Sequence, residues 1–198
     1  MATPRYPSPL QAPMGALFRV VSGGMAALLA LSCGIVAPAQ AQSVSTLTSS
    51  ADQTLRFGTI VTGGSGSRTV SASGAITDSG VFPVGVQSAG PAQFTLTYYR
   101  APGDLRFLLL TFQITLMSVP KVSVNGVQGS LTGFTSDIPG APTIQPGQTV
   151  NYILPLCLQT LCTVTFHIGA TLNIVQPNTG ANLTFALPVV TTVTSAFG

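Results

Sequence analysis

Few residues of this 198-residue chain are of a type that does acid–base, nucleophilic or metal chemistry. Beyond residue 41 it holds one histidine, His167, four aspartates, Asp52, Asp78, Asp104 and Asp137, no glutamate, and two of the three cysteines, Cys157 and Cys162. A general base or an activated serine needs a partner that tunes it and a third group that orients it. His167 alternates with Phe166 and Ile168, which puts it on a solvent face beside Thr165 with no evident partner, and no serine stands in a G-x-S-x-G elbow. Each aspartate sits in or next to a turn-rich segment, where a carboxylate bonds its own backbone, so a glycosidase pair is not expected. No catalytic residue is assigned, and the chain reads as a non-enzyme.

The same inventory bears on metals and phosphates. Cys157, Cys162 and His167 follow a C-x4-C-x4-H spacing that matches no zinc pattern. The glycine loop Thr62 to Ser67 lacks a lysine and leads into strand rather than helix, so it reads as a turn, not a phosphate cradle. No metal and no cofactor are expected.

Compartment decides what the cysteines do. Met1 to Arg19 carries Arg5 and Arg19 without an acid, Val20 to Val36 is an apolar run, and Ala37-Pro38-Ala39-Gln40-Ala41 closes it with small residues. This is the pattern of a secretory signal peptide, cleaved between Ala41 and Gln42. An uncleaved anchor is disfavoured because the run is short and contains Ser22, Gly23, Gly24, Ser32 and Gly34. A lipoprotein would use Cys33, but Ala30 stands where a bulky leucine is usual. The expected location is the periplasm, the cell surface or the medium, with no membrane insertion after cleavage. In that oxidising setting Cys157 and Cys162 are expected to form a disulfide around Leu158 to Leu161 at a hairpin tip. Because Val150, Tyr152 and Leu154 share even parity with Cys162 while Cys157 is odd, a bulge near Pro155 is required.

From Gln42 onward 157 residues remain (198 minus 41), enough for one domain. Five bases, Arg56, Arg68, Arg100, Arg106 and Lys121, oppose the four aspartates, a net charge of +1. With no basic cluster among them, a nucleic-acid partner is not expected.

The elements that must position these groups are strands. Leu55 to Val61, the glycines Gly63, Gly64 and Gly66, and Ser67 to Ser73 predict an opening hairpin with Leu55, Phe57, Thr59 and Val61 on one face. Pro83 marks Val81 to Gln87 as an edge strand. Ala92 to Tyr99 alternates cleanly, with Phe94, Leu96 and Tyr98 together. In Leu105 to Met117 the set Leu108, Leu110, Phe112, Ile114 and Leu116 is uniformly apolar, and its aromatic and β-branched content favours strand over helix. Asn125-Gly126 predicts a tight hairpin. Gly129 to Gly147, rich in proline and glycine, predicts a long connection with at most one short strand. Gln148 to Leu154, Thr163 to Ile174 and Leu183 to Thr194 complete at least eight strands, which make a sandwich or a barrel. Ser43 to Thr54 reads as a flexible leader, a weak strand or a donor arm.

Three stretches carry a family resemblance: LRFGTIVTGGSG (Leu55 to Gly66), GPAQFTLT (Gly90 to Thr97) followed by Pro102-Gly103, and TFHIGATLNI (Thr165 to Ile174) before NTGANLTFALPVVTTV (Asn178 to Val193). As a set they resemble the secreted bacterial family described as domain of unknown function 4402. The resemblance implies an all-β, antiparallel β-sandwich, immunoglobulin-like or pilin-like, exported by Gram-negative bacteria and carrying no assigned catalytic residues. Tyr98-Tyr99-Arg100 and the insert LPLCLQTLC (Leu154 to Cys162) depart from the family pattern. The expected organisation is residues 1–41 as signal peptide, 42–54 as flexible leader and 55–198 as one sandwich domain.

The leading expectation for function is a structural or adhesive surface protein, such as a subunit of a pilus-like fibre, whose partners are copies of itself or other surface proteins. The alternation Leu183, Phe185, Leu187, Val189, Val193 up to Phe197 is similar to the end of chaperone-assembled pilins, so strand addition by the last strand or the leader is one route to assembly. A binding module for a glycan or a surface partner is the alternative, and it would want Tyr98, Tyr99 and Tyr152 in solvent. A small outer-membrane barrel is a third, set against the absence of tryptophan.

Overall fold

The computed structural model describes residues 45–85, 88–103, 108–175 and 181–197. The signal segment, the Ala41–Gln42 cleavage site and Asp104 lie outside them. Every regular element among the described residues is a β-strand: β1 (Thr46–Gln53), β2 (Ile60–Val61), β3 (Ser65–Val70), β4 (Ile76–Ser79), β5 (Phe82–Pro83), β6 (Ala92–Tyr99), β7 (Leu108–Leu116), β8 (Val122–Val124), β9 (Val127–Ser136), β10 (Thr149–Cys157), β11 (Leu161–Val175) and β12 (Val189–Phe197).

The fold is an all-β, antiparallel sandwich. Its larger sheet runs β1-β6-β11-β3-β4, with β9 and then β8 added on β11, and the opposing sheet runs β10-β7-β12. The 15-residue β11 is the spine. Ile168 pairs with both Ala92 and Ser136, and Thr171 with both Thr69 and Thr132, so β6 and β3 lie end to end along one edge of β11 and β9 lies along the other.

Alternation explains which side chains meet. Phe94, Leu96 and Tyr98 of β6 and Val164, Phe166 and Ile168 of β11 turn inward, and Leu108, Leu110, Phe112, Ile114 and Leu116 of β7 face them from the other sheet. The Phe94 and Phe166 rings stack with centroids 5.4 Å apart. Apolar faces therefore close on each other in one packed interior, the reverse of a barrel with an apolar outer band. The outward faces are threonine ladders: Thr95 with Thr165 at 3.1 Å, Thr69 with Thr171 at 2.8 Å and Thr115 with Thr149 at 2.7 Å. Such pairs tie neighbouring strands across a wet surface.

Four expectations need correction. Of the readings given for the stretch before Leu55, the strand rather than the flexible leader forms: β1 over Thr46–Gln53 pairs with β6, with a bulge at Asp52, although almost every side chain is exposed, because the backbone ladder rather than burial holds it. The opening hairpin does not form. Gly58 takes φ +69° and breaks parity, so Leu55 and Phe57 are buried but Ile60 turns half inward and Val61 outward, and β2 pairs with β5 while β3 pairs with β4 and β11. Gly66 is needed for space rather than for φ, since a Cβ there would stand 2.6 Å from Val81 Cγ1 and 2.7 Å from the Gly80 carbonyl oxygen. The connection after Gly129 is shorter than expected: β9 continues to Ser136, burying Leu131 and Phe134, with Gly133 at φ +58° marking an irregularity in its pairing to β11. Finally, only Val189–Phe197 of the last alternating stretch joins a sheet.

Pro83 does sit in a two-residue edge strand, and Asn125 and Gly126, at φ 50° and 82°, turn β8 into β9.

Candidate functional site

The expected disulfide is present between Cys157 and Cys162, with a Cα–Cα distance of 6.0 Å, but not at the expected hairpin tip: β10 pairs with β7 and β11 with β6, so the bridged loop crosses from one sheet to the other. The register of β10 against β7 shifts between Leu154 and Cys157, which is the bulge that parity demanded. Arg100, buried at the end of β6, donates from Nη1 to the Cys157 carbonyl oxygen at 3.1 Å and so ties the loop to the other sheet.

Among the described residues, His167 and the aspartates are drawn into structural contacts. His167, expected to stand alone, has a partner 30 residues away: its backbone N–H donates to Asp137 Oδ1 at 2.6 Å and its Nδ1 lies 2.6 Å from Asp137 Oδ2. One carboxylate thereby closes the edge of β11 where β9 leaves it. An Asp–His pair is two thirds of a catalytic triad, yet the adjacent hydroxyl of Ser136 donates to the Ala141 carbonyl oxygen. Asp78 on β4 faces Arg68, whose Nε is 3.1 Å from its Oδ1. Arg68 is a residue that sequence reasoning missed. It is 2% exposed, shares the inward face of β3 with Val70, and its Nη1 has no hydrogen-bond partner among the described residues. Asp52 on β1 accepts from Thr95 and Ser50, which hold its carboxyl below the usual aspartate range. No three potential metal ligands cluster among the described residues. The glycine loop is a turn: Thr62 Oγ1 accepts from Gly64 N–H at 3.3 Å and donates to the Gly80 carbonyl oxygen at 2.9 Å. Of the three tyrosines a glycan site would want outside, Tyr98 is 7% exposed and Tyr152 half-buried, leaving Tyr99 at 49%.

A feature with room for a partner is a cleft of about 790 Å³ over the far half of β11. Leu172 and Ile174 of β11 and Val127 of β9 form its floor, and the stretches 54–62 and 181–185 form its walls. Both walls are lengths of extended chain outside the main sheets. The first is pinned where Arg56 and Gly90 exchange backbone bonds at 2.9 Å and where Val84 N–H donates to the Thr59 carbonyl oxygen at 3.0 Å. The second is pinned where Met117 N–H donates to the Pro188 carbonyl oxygen, and otherwise lies down by its side chains: Leu183, Phe185 and Leu187 alternate inward onto the core. Gly129 makes this possible, because a Cβ there would stand 2.6 Å from Leu183 Cδ1 and 2.9 Å from Phe185 Cζ. Among the described residues no strand pairs with 181–187. Backbone donors and acceptors therefore border an apolar floor, the geometry into which an extended peptide or a hairpin tip fits.

The family model described as domain of unknown function (DUF4402) matches residues 47–189. The chain belongs to this family. The match begins inside β1 and ends at the first residue of β12, so β1 from Leu47 onward, both walls of the cleft and the disulfide insert fall within the family's span. No curated protein and no solved structure matches the chain.

Proposed function

We propose that this DUF4402 chain is a non-enzymatic, exported structural or adhesive protein of the cell surface that assembles with its own copies or with other surface proteins, as the subunit of a pilus-like fibre does. The observation that carries the reading is where the chemistry-bearing side chains are engaged. Asp137 and His167 close a strand edge, Asp78 neutralises a buried Arg68, Asp52 fastens β1 to β6, and the two cysteines are joined. Among the described residues Arg56 is the one charged residue lining the cleft, and a guanidinium among leucines and threonines supplies electrostatic anchoring rather than proton transfer. Threonine ladders and near-neutral charge suit a sandwich that packs against neighbours outside the cell.

The test is location and contact. An epitope-tagged chain expressed with its leader is expected to be processed near Gln42, to be cut by protease added to intact cells, and to be sheared or shed into the medium. Retention in the cytoplasm, or a hydrolytic activity abolished by His167→Ala, would refute the proposal.

A further inference from the structure

The apolar surface at the two ends of the sandwich has opposite shape. One end holds the cleft, whose lining residue Val61 is 52% exposed and is paired in register with Phe82, 67% exposed. The other end carries a knob, the loop between Cys157 and Cys162, whose Leu158 and Leu161 are 59% and 41% exposed. Tyr99, the register partner of Leu161, extends the knob. The strand β11 runs from one to the other: Leu161 opens it at the knob and Leu172 lies under the cleft. At about 3.3 Å per residue they stand roughly 36 Å apart, so one copy's knob cannot reach its own cleft. Surfaces so placed meet only between copies, head to tail.

We propose that the disulfide knob of one copy seats in the cleft of the next, a contact that deepens, and rests on, the reading of the chain as a self-assembling protein. Size agrees. Strand spacing of about 4.8 Å and sheet spacing of about 10 Å allot roughly 160 Å³ to each residue of extended chain, so the cleft holds about five residues. The knob offers Leu158 to Leu161, four residues between its cysteines. Its base is held at a Cα–Cα distance of 6.0 Å, so little conformational freedom is lost on docking. Charge does not oppose the contact, because the knob carries none and, among the described residues, Arg56 is the one charge lining the cleft. The competing insert is the stretch before β1, and β1 begins at the knob end, where Thr46 pairs with Tyr99. Between Gln42 and Ser45 it offers Val44 as its one large apolar side chain, against the knob's two leucines and a tyrosine. A knob and its rim bury less than the roughly 1,200 Å² of a standard interface, so association is concentration-dependent.

The experiment is sedimentation of the chain, expressed with its leader and purified as the cell leaves it, over a concentration series reaching the millimolar range. Wild-type protein is expected to grow beyond a dimer. Leu158→Asp with Leu161→Asp removes the knob, and Val61→Asp with Thr184→Asp blocks the cleft; each double variant is expected to raise the dissociation constant at least tenfold. Mixed in equal amounts, the two retain one working half each and are expected to form a 1:1 dimer that grows no further. Should either melt early, Leu158→Gln and Thr184→Trp serve as milder replacements. Four results overturn the proposal: wild type monomeric throughout, a blocked variant that still dimerises with itself, no dimer in the mixture, or association lost on deleting the residues before Ser45 with the knob intact. Surface protease treatment reads the proposed function separately. A chain that stays off the surface yet pairs knob to cleft refutes the surface role alone, and a surface protein that is monomeric refutes the contact alone.

Discussion

The two halves of this sandwich share one strand and are closed in different ways. Along the first half of β11 both layers are laddered, β1-β6-β11 on one side and β10-β7-β12 on the other, with Leu110, Phe112, Ile114 and Phe166 fully buried between them. Along the second half β3 and β9 still pair with β11, but the covering layer is two lengths of chain held by side chains and a few pins. A layer can be held in place by packing alone. What it then keeps are backbone groups free to bond something else, so stability is concentrated in the first half and the proposed contact falls on the second.

Core truncation tests that division most directly. Phe112→Ala is expected to cost about 3–5 kcal/mol in denaturant unfolding, whereas Phe185→Ala, removing a half-buried side chain of the cleft wall, should cost about 1 kcal/mol. Equal costs would erase the distinction between the halves.

Arg68 lies in the second half, in register with Leu172, and Asp78→Asn would leave its guanidinium buried without a counter-charge. A loss of about 3 kcal/mol or more is expected, recovered when Arg68→Met is added; a double variant no better than the single one would show that the pair does not act as a unit.

Gly129→Ala sharpens the comparison from the other side. Its methyl would push Leu183 and Phe185 off the sheet, costing about 1–3 kcal/mol and raising hydrogen exchange in residues 181–187 while β6 and β7 stay protected. Cys157→Ser with Cys162→Ser should lower stability by about 2 kcal/mol, since so short a loop constrains the unfolded chain little, and leave the all-β circular dichroism spectrum unchanged.

The smallest effect expected is at β1. Thr95 and then Ser50 lower the pKa of Asp52 from its ordinary 3.8. A carboxyl lowered in the folded state adds stability above its unfolded pKa and loses it as pH falls through the folded one. Docking of β1 should therefore weaken only below about pH 3.8, seen as faster amide exchange in Thr46–Gln53, and Asp52→Asn should remove that dependence.

Much of the first half could be read from the chain because its signals are local. Period-two alternation in Ala92 to Tyr99 and Leu108 to Leu116 names the buried face without knowledge of any partner strand, and Asn125-Gly126 states its own turn. The disulfide and its bulge were legible for the same reason, since two cysteines five residues apart and a change of parity are counted along the sequence. The opening hairpin failed because Gly58 breaks the alternation at one residue, and glycine spacing cannot distinguish a reversal from a close approach of the kind Gly66 makes to Val81.

Fold class and family membership were thus determined by the sequence itself, through periodicity and through motifs spread over the whole sandwich. Tertiary structure alone decided that Asp137 meets His167, that Arg68 is inward with Asp78 beside it, and that residues 54–62 and 181–185 stand opposite each other across a cleft. Alternation reports which face of a strand is dry; it carries no information on which distant segment lies across from it or whether a backbone edge is paired. Those depend on the packing of the whole chain.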